Sequence, residues 1–465
     1  MCQELFREFE TIDLGDKRLD RRAVNLLETL WANPSASVNS ACDGWSESLA
    51  AYRFFSNERV EPEQILAPHR QATEDRIDQE DVALIVQDTT ELDFSKHPPR
   101  DAGVLNSEKR FGFYDHTHAA FTPEGLCLGV LDVEFFNRTA DTLGKAQERK
   151  SNPIEEKESF RWLEGYRLAC ELAGKHPQTQ IISVADSEAD IYDIFLEVSR
   201  QPTPADFVIR AKQDRSSLER DVEAGAHAYK KVRDEVSQSD VCVVRELELP
   251  RTPKREPRLA RLEVRAKTVT VKPPHARSQL DSVSYNLVLV EEIGRPADDE
   301  TAVCWLLITS LPIDTTDKIL RVIDTYGARW PIEPFFRTYK TGCAVEEIQL
   351  ETEQRLLRCL MFYKVIAWRV MHLTVLGREC PELNCDVIFA DEEWKSVWKI
   401  VSDEPLPETA PSLSKFIPLL ARLGGYNVRK NDPPPGPQAI WSGVRRMMDF
   451  ALAWKAFGPG KHEKP

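Results

Sequence analysis

This sequence has no run that is long, apolar and free of charge. Its longest apolar stretch, Leu356 to Leu376, is interrupted by Arg358, Lys364 and Arg369 and reads as a buried core helix, not a membrane span. No apolar segment follows a basic start within Met1 to Glu10, so no secretory signal is expected there and the cytoplasm is the expected compartment. Cysteines at metal-binding spacing are missing. The ten cysteines are scattered, and the nearest pair, Cys380 and Cys385, lacks the CxxC spacing, so reduced and mostly buried thiols are expected. The nine histidines are dispersed as well. Only His116 and His118 lie close, on one face of a strand by alternation, which is too little for a zinc site. Excess positive charge is also absent, because the net charge is −15. Affinity for phosphates comes largely from Lys and Arg, so any nucleic-acid reading must rest on local clusters.

What is present describes a multidomain globular protein. The chain has 465 residues, 42% of them hydrophobic and 29% charged. At roughly 150 residues per domain, that predicts two or three domains. One basic cluster stands out: Arg251, Lys254, Arg255, Arg258, Arg261, Arg265, Lys267, Lys272 and Arg277, opposed only by Glu256 and Glu263. It is either a phosphate-contacting surface or a solvated loop and edge strand.

The hydrophobic pattern then orders the chain. Residues 1–75 are predicted helical, with Lys17, Arg18, Arg21 and Arg22 preceding Leu26, Leu27, Leu30 and Trp31, and a second stripe at Ala50, Ala51, Phe54 and Phe55. Val82 to Val86 predicts a doubly buried strand ended by Gln87-Asp88-Thr89-Thr90. Phe111 to Phe121 and Cys127 to Phe136 flank a Thr122-Pro123-Glu124-Gly125 turn and predict a hairpin. A helix with Trp162, Tyr166, Ala169 and Ala173 follows, then a strand Ile181 to Ala185 ending at Asp186, then a helix marked by Ile191, Ile194, Phe195 and Val198. This α/β order is the one expected of a ribonuclease-H-like core, and other α/β folds share it. Residues 205–300 interrupt it as a β-rich insertion, with Val264 to Lys272 and Ser284 to Glu291 as strands. Val303 to Thr309 resumes the core, and Asp314 and Thr315 can cap the next helix. The expected segments are 1–75 helical and DNA-binding, 76–204 and 301–370 catalytic core, 205–300 insertion, and 371–465 helical. The last amphipathic stripe, Ile440, Val444, Met447, Ala451 and Trp454, either docks on its own core or forms a dimer contact.

Asp88 and Asp186 each end an apolar strand, at the rim where open α/β sheets bind ligands. Alone, each is equally a turn or helix-capping Asp. Tyr326, Arg329, Glu333, Arg337 and Lys340 project within about 80° of one another if helical at about 100° per residue. One carboxylate among three cations and a phenol suits metal beside phosphate; salt bridges along a helix are the plainer alternative. Pro331 and Pro334 predict a break, with one helix ending near Arg329 and another restarting at Pro331.

Tyr326, Arg329, Glu333 and Lys340 spell Y-x2-R-x3-E-x6-K, which resembles the signature of insertion-sequence-four-type DDE transposases. The string R-W-P-I-E-P-F-F-R-T-Y-K strengthens the likeness. Val86-Gln87-Asp88-Thr89-Thr90 resembles the family's first-Asp segment, and Asp186-Ser187-Glu188-Ala189-Asp190-Ile191 the second. Cys304-Trp305-Leu306-Leu307, Phe207-Val208-Ile209-Arg210, Ala421-Arg422-Leu423-Gly424-Gly425-Tyr426 and Ala51-Tyr52-Arg53-Phe54-Phe55 are similar too. The resemblance spans nearly the whole chain and leans toward cut-and-paste members that form DNA hairpins. It implies that Asp88, Asp186 and Glu333 bind two Mg²⁺ ions, for which Mn²⁺ substitutes. It implies that Arg329, Lys340 and Arg337 hold phosphates and that Trp305 stacks on a base flipped from the hairpin. Arg210, Tyr326 and Trp330 are further candidates for holding that strand. The implied partners are double-stranded DNA, as terminal inverted repeats and target, and a second copy of the chain. A non-catalytic DNA-binding descendant and a metal-free two-carboxylate hydrolase are the rival readings.

Overall fold

The computed structural model describes residues 7–33, 37–139, 152–221, 228–249, 256–294, 302–427 and 434–459. In chain order, helices α1 (Lys17–Ala32), α2 (Val38–Ala41), α3 (Trp45–Phe55) and α4 (Pro62–Ile77) precede strand β1 (Val82–Asp93). The hairpin β2 (Gly112–Phe121) and β3 (Cys127–Phe136) follows, then α5 (Phe160–Lys175), β4 (Gln180–Ala185), α6 (Tyr192–Glu197) and β5 (Asp206–Arg210). Next come β6 (Ser216–Arg220), β7 (Tyr229–Lys231), α7 (Val232–Ser237), β8 (Val241–Leu249), β9 (Arg258–Val271) and β10 (Val283–Glu292). The chain closes with β11 (Cys304–Thr309), α8 (Thr316–Gly327), α9 (Ile332–Arg337), a π-helical turn Thr338–Gly342, α10 (Glu353–Glu379), α11 (Asp391–Val401), α12 (Leu413–Leu423) and α13 (Pro437–Phe457). The architecture is α/β, with a large mixed sheet and helical segments before and after it in sequence. Strand, hairpin, helix, strand, helix, strand is the order of a ribonuclease-H-like core.

The chain divides into two compact units: Met1–Arg76, Thr89–Gly144 and Pro331–Pro465 form one, and Ile77–Asp88 with Lys145–Trp330 form the other. In the second unit the strand order is β1-β4-β5-β11-β10-β9-β6-β7, with β8 paired to β9. β1, β4 and β5 run parallel, and the strands beyond them antiparallel. Parallel strands need both faces covered, which is why Val82–Val86 of β1 and Ile181–Ala185 of β4, Ser183 apart, are apolar. α5 covers β4 with Trp162, Leu163, Tyr166 and Ala169, all buried, and the Tyr166 hydroxyl donates to the Ala205 carbonyl at 2.9 Å.

In the first unit, α10 is the core helix, buried from Leu356 to Thr374. By length and composition it could cross a membrane, yet 89% of its apolar window is buried inside the protein. Phe362 meets the rings of Phe9, Phe54 and Phe55 at 5.4, 5.9 and 6.1 Å, which ties α3 to it. Trp368 Nε1 donates to the Cys127 carbonyl at 3.0 Å and joins it to β3. The buried stripe of α13 (Ile440, Val444, Met447 and Ala451) packs on α11 and α12, so it is spent within the chain. None of the described cysteines forms a disulfide, and Cys127, Cys170, Cys343, Cys359 and Cys385 are buried.

Two expectations change. β1 does not stop at Gln87 but continues to Asp93, because its polar second half lies beside β2. Of the six described members of the basic cluster, four pair with the protein's own acids. Arg258 pairs with Glu292 at 2.8 Å, Arg265 with Glu263 at 3.1 Å, Lys267 with Glu235 at 2.9 Å and Arg277 with Asp193 at 2.7 Å. Lys272 lies 3.3 Å from the centre of the Tyr229 ring, while Arg261 is exposed. Arg251, Lys254 and Arg255 lie outside the described residues.

Candidate active site

Buried strands deliver two carboxylates to neighbouring positions. Ala83 to Val86 of β1 and Ile182, Val184 and Ala185 of β4 are fully buried. Gln87 is in register with Ala185, so Asp88 and Asp186 are the next residues on adjacent strands, about 5 Å apart at the backbone. Asp186 accepts the Glu188 N–H at 2.8 Å and caps the short 3-10 turn Ser187–Ala189. Asp88 accepts a hydrogen bond from Arg329 Nη1 at 2.7 Å, with side-chain exposures of 15% and 9%. A cation is what two adjacent carboxylates require, and Arg329 supplies one positive charge.

The aromatic and basic candidates of the same unit stand close by. Arg210 on β5 is in register with Leu307 on β11, which puts Trp305, two residues away, on the same face. The Trp305 and Tyr326 rings meet at 5.5 Å, inclined at 66°. Burial pushes the Tyr326 hydroxyl up, against the opposing charges of Arg329 and Arg210, so it stays a neutral donor at physiological pH. Trp330 is 66% exposed, with the Arg329 guanidinium 5.8 Å from its ring centre.

Glu333, Arg337 and Lys340 belong to the first unit. Thr315 caps α8, which ends at Gly327; Pro331 stands at the N-cap position of α9, so the expected stretch is divided into two helices there. Pro334 sits in the first turn of α9, where no helical partner is needed for its nitrogen. Along α9 and the π-turn, Ile332, Phe335, Phe336 and Tyr339 are buried, while Glu333 and Arg337 are exposed. Lys340 Nζ donates to the Glu91 carbonyl at 2.5 Å and pairs with Glu346 at 3.3 Å. The sequence pattern did not announce this π-turn or those partners. It also passed over Asp115 and Thr117, whose charge and hydroxyl lie buried behind α9; the one available signal was Lys364 inside an apolar helix.

The oxygen-only set of Asp88 and Asp186 fits a hard divalent cation. Among the described residues, no three His, Cys, Asp or Glu side chains gather into a ready-made metal cluster.

Residues 1–60 match a family model described as transposase DNA-binding, and residues 365–455 match the Tn5 transposase dimerisation domain. Both matches are to transposase domains. Together they support a transposase family. The first matched segment comprises α1 to α3, with the exposed Lys17, Arg18 and Arg21 on α1 and a 79% exposed Trp45 opening α3. The second matched segment begins within α10 and ends within α13. A solved structure, the cryo-EM structure of the piggyBac transposase synaptic complex with hairpin DNA, aligns over 98% of this chain and 82% of that one, at 9% identity and a TM-score of 0.37.

Proposed function

We propose that this chain is a DNA transposase of the insertion-sequence-four, Y-R-E-K type. The observation that carries the reading is the pair Asp88 and Asp186 on adjacent parallel strands, with Arg329 of the Y-R-E-K pattern bonded to Asp88. The matched DNA-binding and dimerisation segments support it. Residues 76–204 and 301–370 are its catalytic core, and 205–300 an insertion.

Asp88 and Asp186, joined by Glu333 on the strength of the sequence resemblance, would hold two Mg²⁺ or Mn²⁺ ions. Ions held there would supply activation of the attacking oxygen and stabilisation of the leaving oxygen in an in-line phosphoryl displacement. Arg329, Arg337 and Lys340 hold phosphates by charge-assisted hydrogen bonds. Trp305 and Trp330 offer ring faces to an extruded base, and Tyr326 and Arg210 donate to the same strand. The reaction is cut-and-paste: water nicks the transposon end, the freed 3′-OH attacks the opposite strand to close a hairpin, the hairpin reopens, and each 3′-OH joins target DNA. Two copies hold the two ends.

The test is cleavage of duplex carrying the DNA sequences that flank the gene, with Mg²⁺ and with chelator. Asp88→Ala is expected to abolish cleavage and leave the gel shift with the end intact. Specific binding without any cleavage by the wild type would favour a non-catalytic DNA-binding protein; chelator-resistant hydrolysis would favour a metal-free hydrolase.

A further inference from the structure

We infer that a buried ion pair, Lys364 with Asp115, is the positioning device for the segment that carries Glu333, Arg337 and Lys340. That these three serve DNA chemistry rests on the transposase reading; that the ion pair sets their segment does not.

Every residue of β2 is buried, although the strand includes Asp115, His116, Thr117 and His118. The side chains of Asp115 and Lys364 are both fully buried. Lys364 Nζ lies 2.9 and 2.7 Å from the two Asp115 oxygens and 2.7 Å from Thr117 Oγ1, and Thr117 in turn donates to Asp115 at 2.7 Å. The remaining side of the ammonium faces aromatic rings. Tyr339 is 4.1 Å from it, Phe336 5.4 Å and Phe335 5.5 Å, each measured to the ring centre. A cation within about 6 Å of a ring face is attracted by it, more so when water is excluded. These three rings are the inward side chains of α9 and the π-turn, whose outward neighbours are Glu333, Arg337 and Lys340.

Burying two charges is a poor way to fill a core, because apolar side chains of similar volume stabilise as well or better. What the charges add is direction. An ammonium whose donors are taken by Asp115 and Thr117 holds its remaining side toward Tyr339, and Tyr339 lies within the π-turn. A π-turn holds one extra residue, a rare arrangement concentrated at functional sites. If Tyr339 slipped back into α-helical register, the residues after it would rotate by about 100°. The turn is therefore clamped from both sides: Tyr339 from within by Lys364, and Lys340 from without by the Glu91 carbonyl and Glu346.

The test compares the full-length wild type with Lys364→Met/Asp115→Leu, and with Tyr339→Phe and Tyr339→Leu. It reads thermal unfolding, amide hydrogen exchange of peptides covering 333–343, and nicking of supercoiled plasmid in Mn²⁺. The double variant is expected to melt within a few degrees of the wild type, yet exchange at least tenfold faster in 333–343 and nick at least tenfold more slowly. Tyr339→Phe keeps the ring and should exchange like the wild type; Tyr339→Leu should behave like the double variant. Wild-type exchange and nicking in the double variant would reduce the ion pair to core filler. If the double variant fails to fold, the Phe and Leu variants decide, and equal exchange in those two would overturn the inference. A wild type that nicks no DNA with any divalent metal refutes the transposase reading, while the exchange arm still decides the anchor.

Discussion

Replacing Arg329 by Ala removes the cation bonded to Asp88 and leaves Asp186 on the adjacent strand. The Arg329–Asp88 contact is 2.7 Å long, with side chains only 9% and 15% exposed. At an effective dielectric of about 20, unit charges about 4 Å apart attract by about 4 kcal/mol. Breaking one partner out of a largely buried pair costs about 3–5 kcal/mol. We expect Arg329→Ala to lose about 3 kcal/mol in metal-free buffer, which lowers the melting temperature by about 6–12 °C for a unit of this size. If Asp88 and Asp186 also receive the divalent ions, Mg²⁺ should restore part of that loss. A ligand at 100 times its dissociation constant returns about 2.7 kcal/mol. The assay is thermal unfolding of wild type, Arg329→Ala and Arg329→Ala/Asp88→Asn, each with chelator and with a Mg²⁺ series. The double variant, lacking the uncompensated charge, should melt above the single one in chelator and respond less to Mg²⁺. A loss below about 1 kcal/mol would refute the electrostatic account. Equal Mg²⁺ responses in the single and double variants would refute metal binding at Asp88.

Two further outcomes follow from the first unit. Glu8 accepts from Arg76 at 2.8 Å and from His69 Nδ1; His69 Nε2 accepts the Val130 N–H at 3.0 Å, so the His69 proton sits on Nδ1. Burial pushes Glu8 up, but His69 and Arg76 together outweigh it and hold it at about 2. Because the folded value lies below the unfolded one of about 4.5, the stabilisation, on the order of 3 kcal/mol, is present above that pH and fades as pH falls toward about 2. In urea unfolding, the advantage of wild type over Glu8→Gln should shrink across that window; a pH-independent difference would contradict the assignment. Gly129 on β3 leaves no room for a side chain, since a Cβ there would sit 1.9 Å from Thr73 Oγ1 and 2.8 Å from its Cβ. Gly129→Ala should cost about 1–3 kcal/mol, and Thr73→Ala, which removes the clashing Oγ1, should recover some of it, as read by melting temperature.

The sequence determined much of this molecule by local rules. Short apolar runs marked β1 and β4 because doubly covered parallel strands have no polar face, and Asp88 and Asp186 follow them within two residues. The turn at Thr122 to Gly125 marked the hairpin, since only a short list of residues turns a chain that tightly. Pro331 marked the break between α8 and α9, because proline is tolerated at a helix start and not in a helix interior. The Y-R-E-K spacing named the candidate residues as a pattern, without their contacts. What only the tertiary structure decided concerns partners far apart in the chain. The basic run from Arg258 to Arg277 left a phosphate surface and a solvated edge strand both open, and its partners Asp193, Glu235 and Glu292 come from other elements. Lys364 looked like an interruption in an apolar helix, and its partner Asp115 lies 249 residues away. Arg329 reaches Asp88 across 241 residues. Charge interactions act through space and carry no periodicity, so a chain can announce its strands and turns and still conceal which of its charges meet.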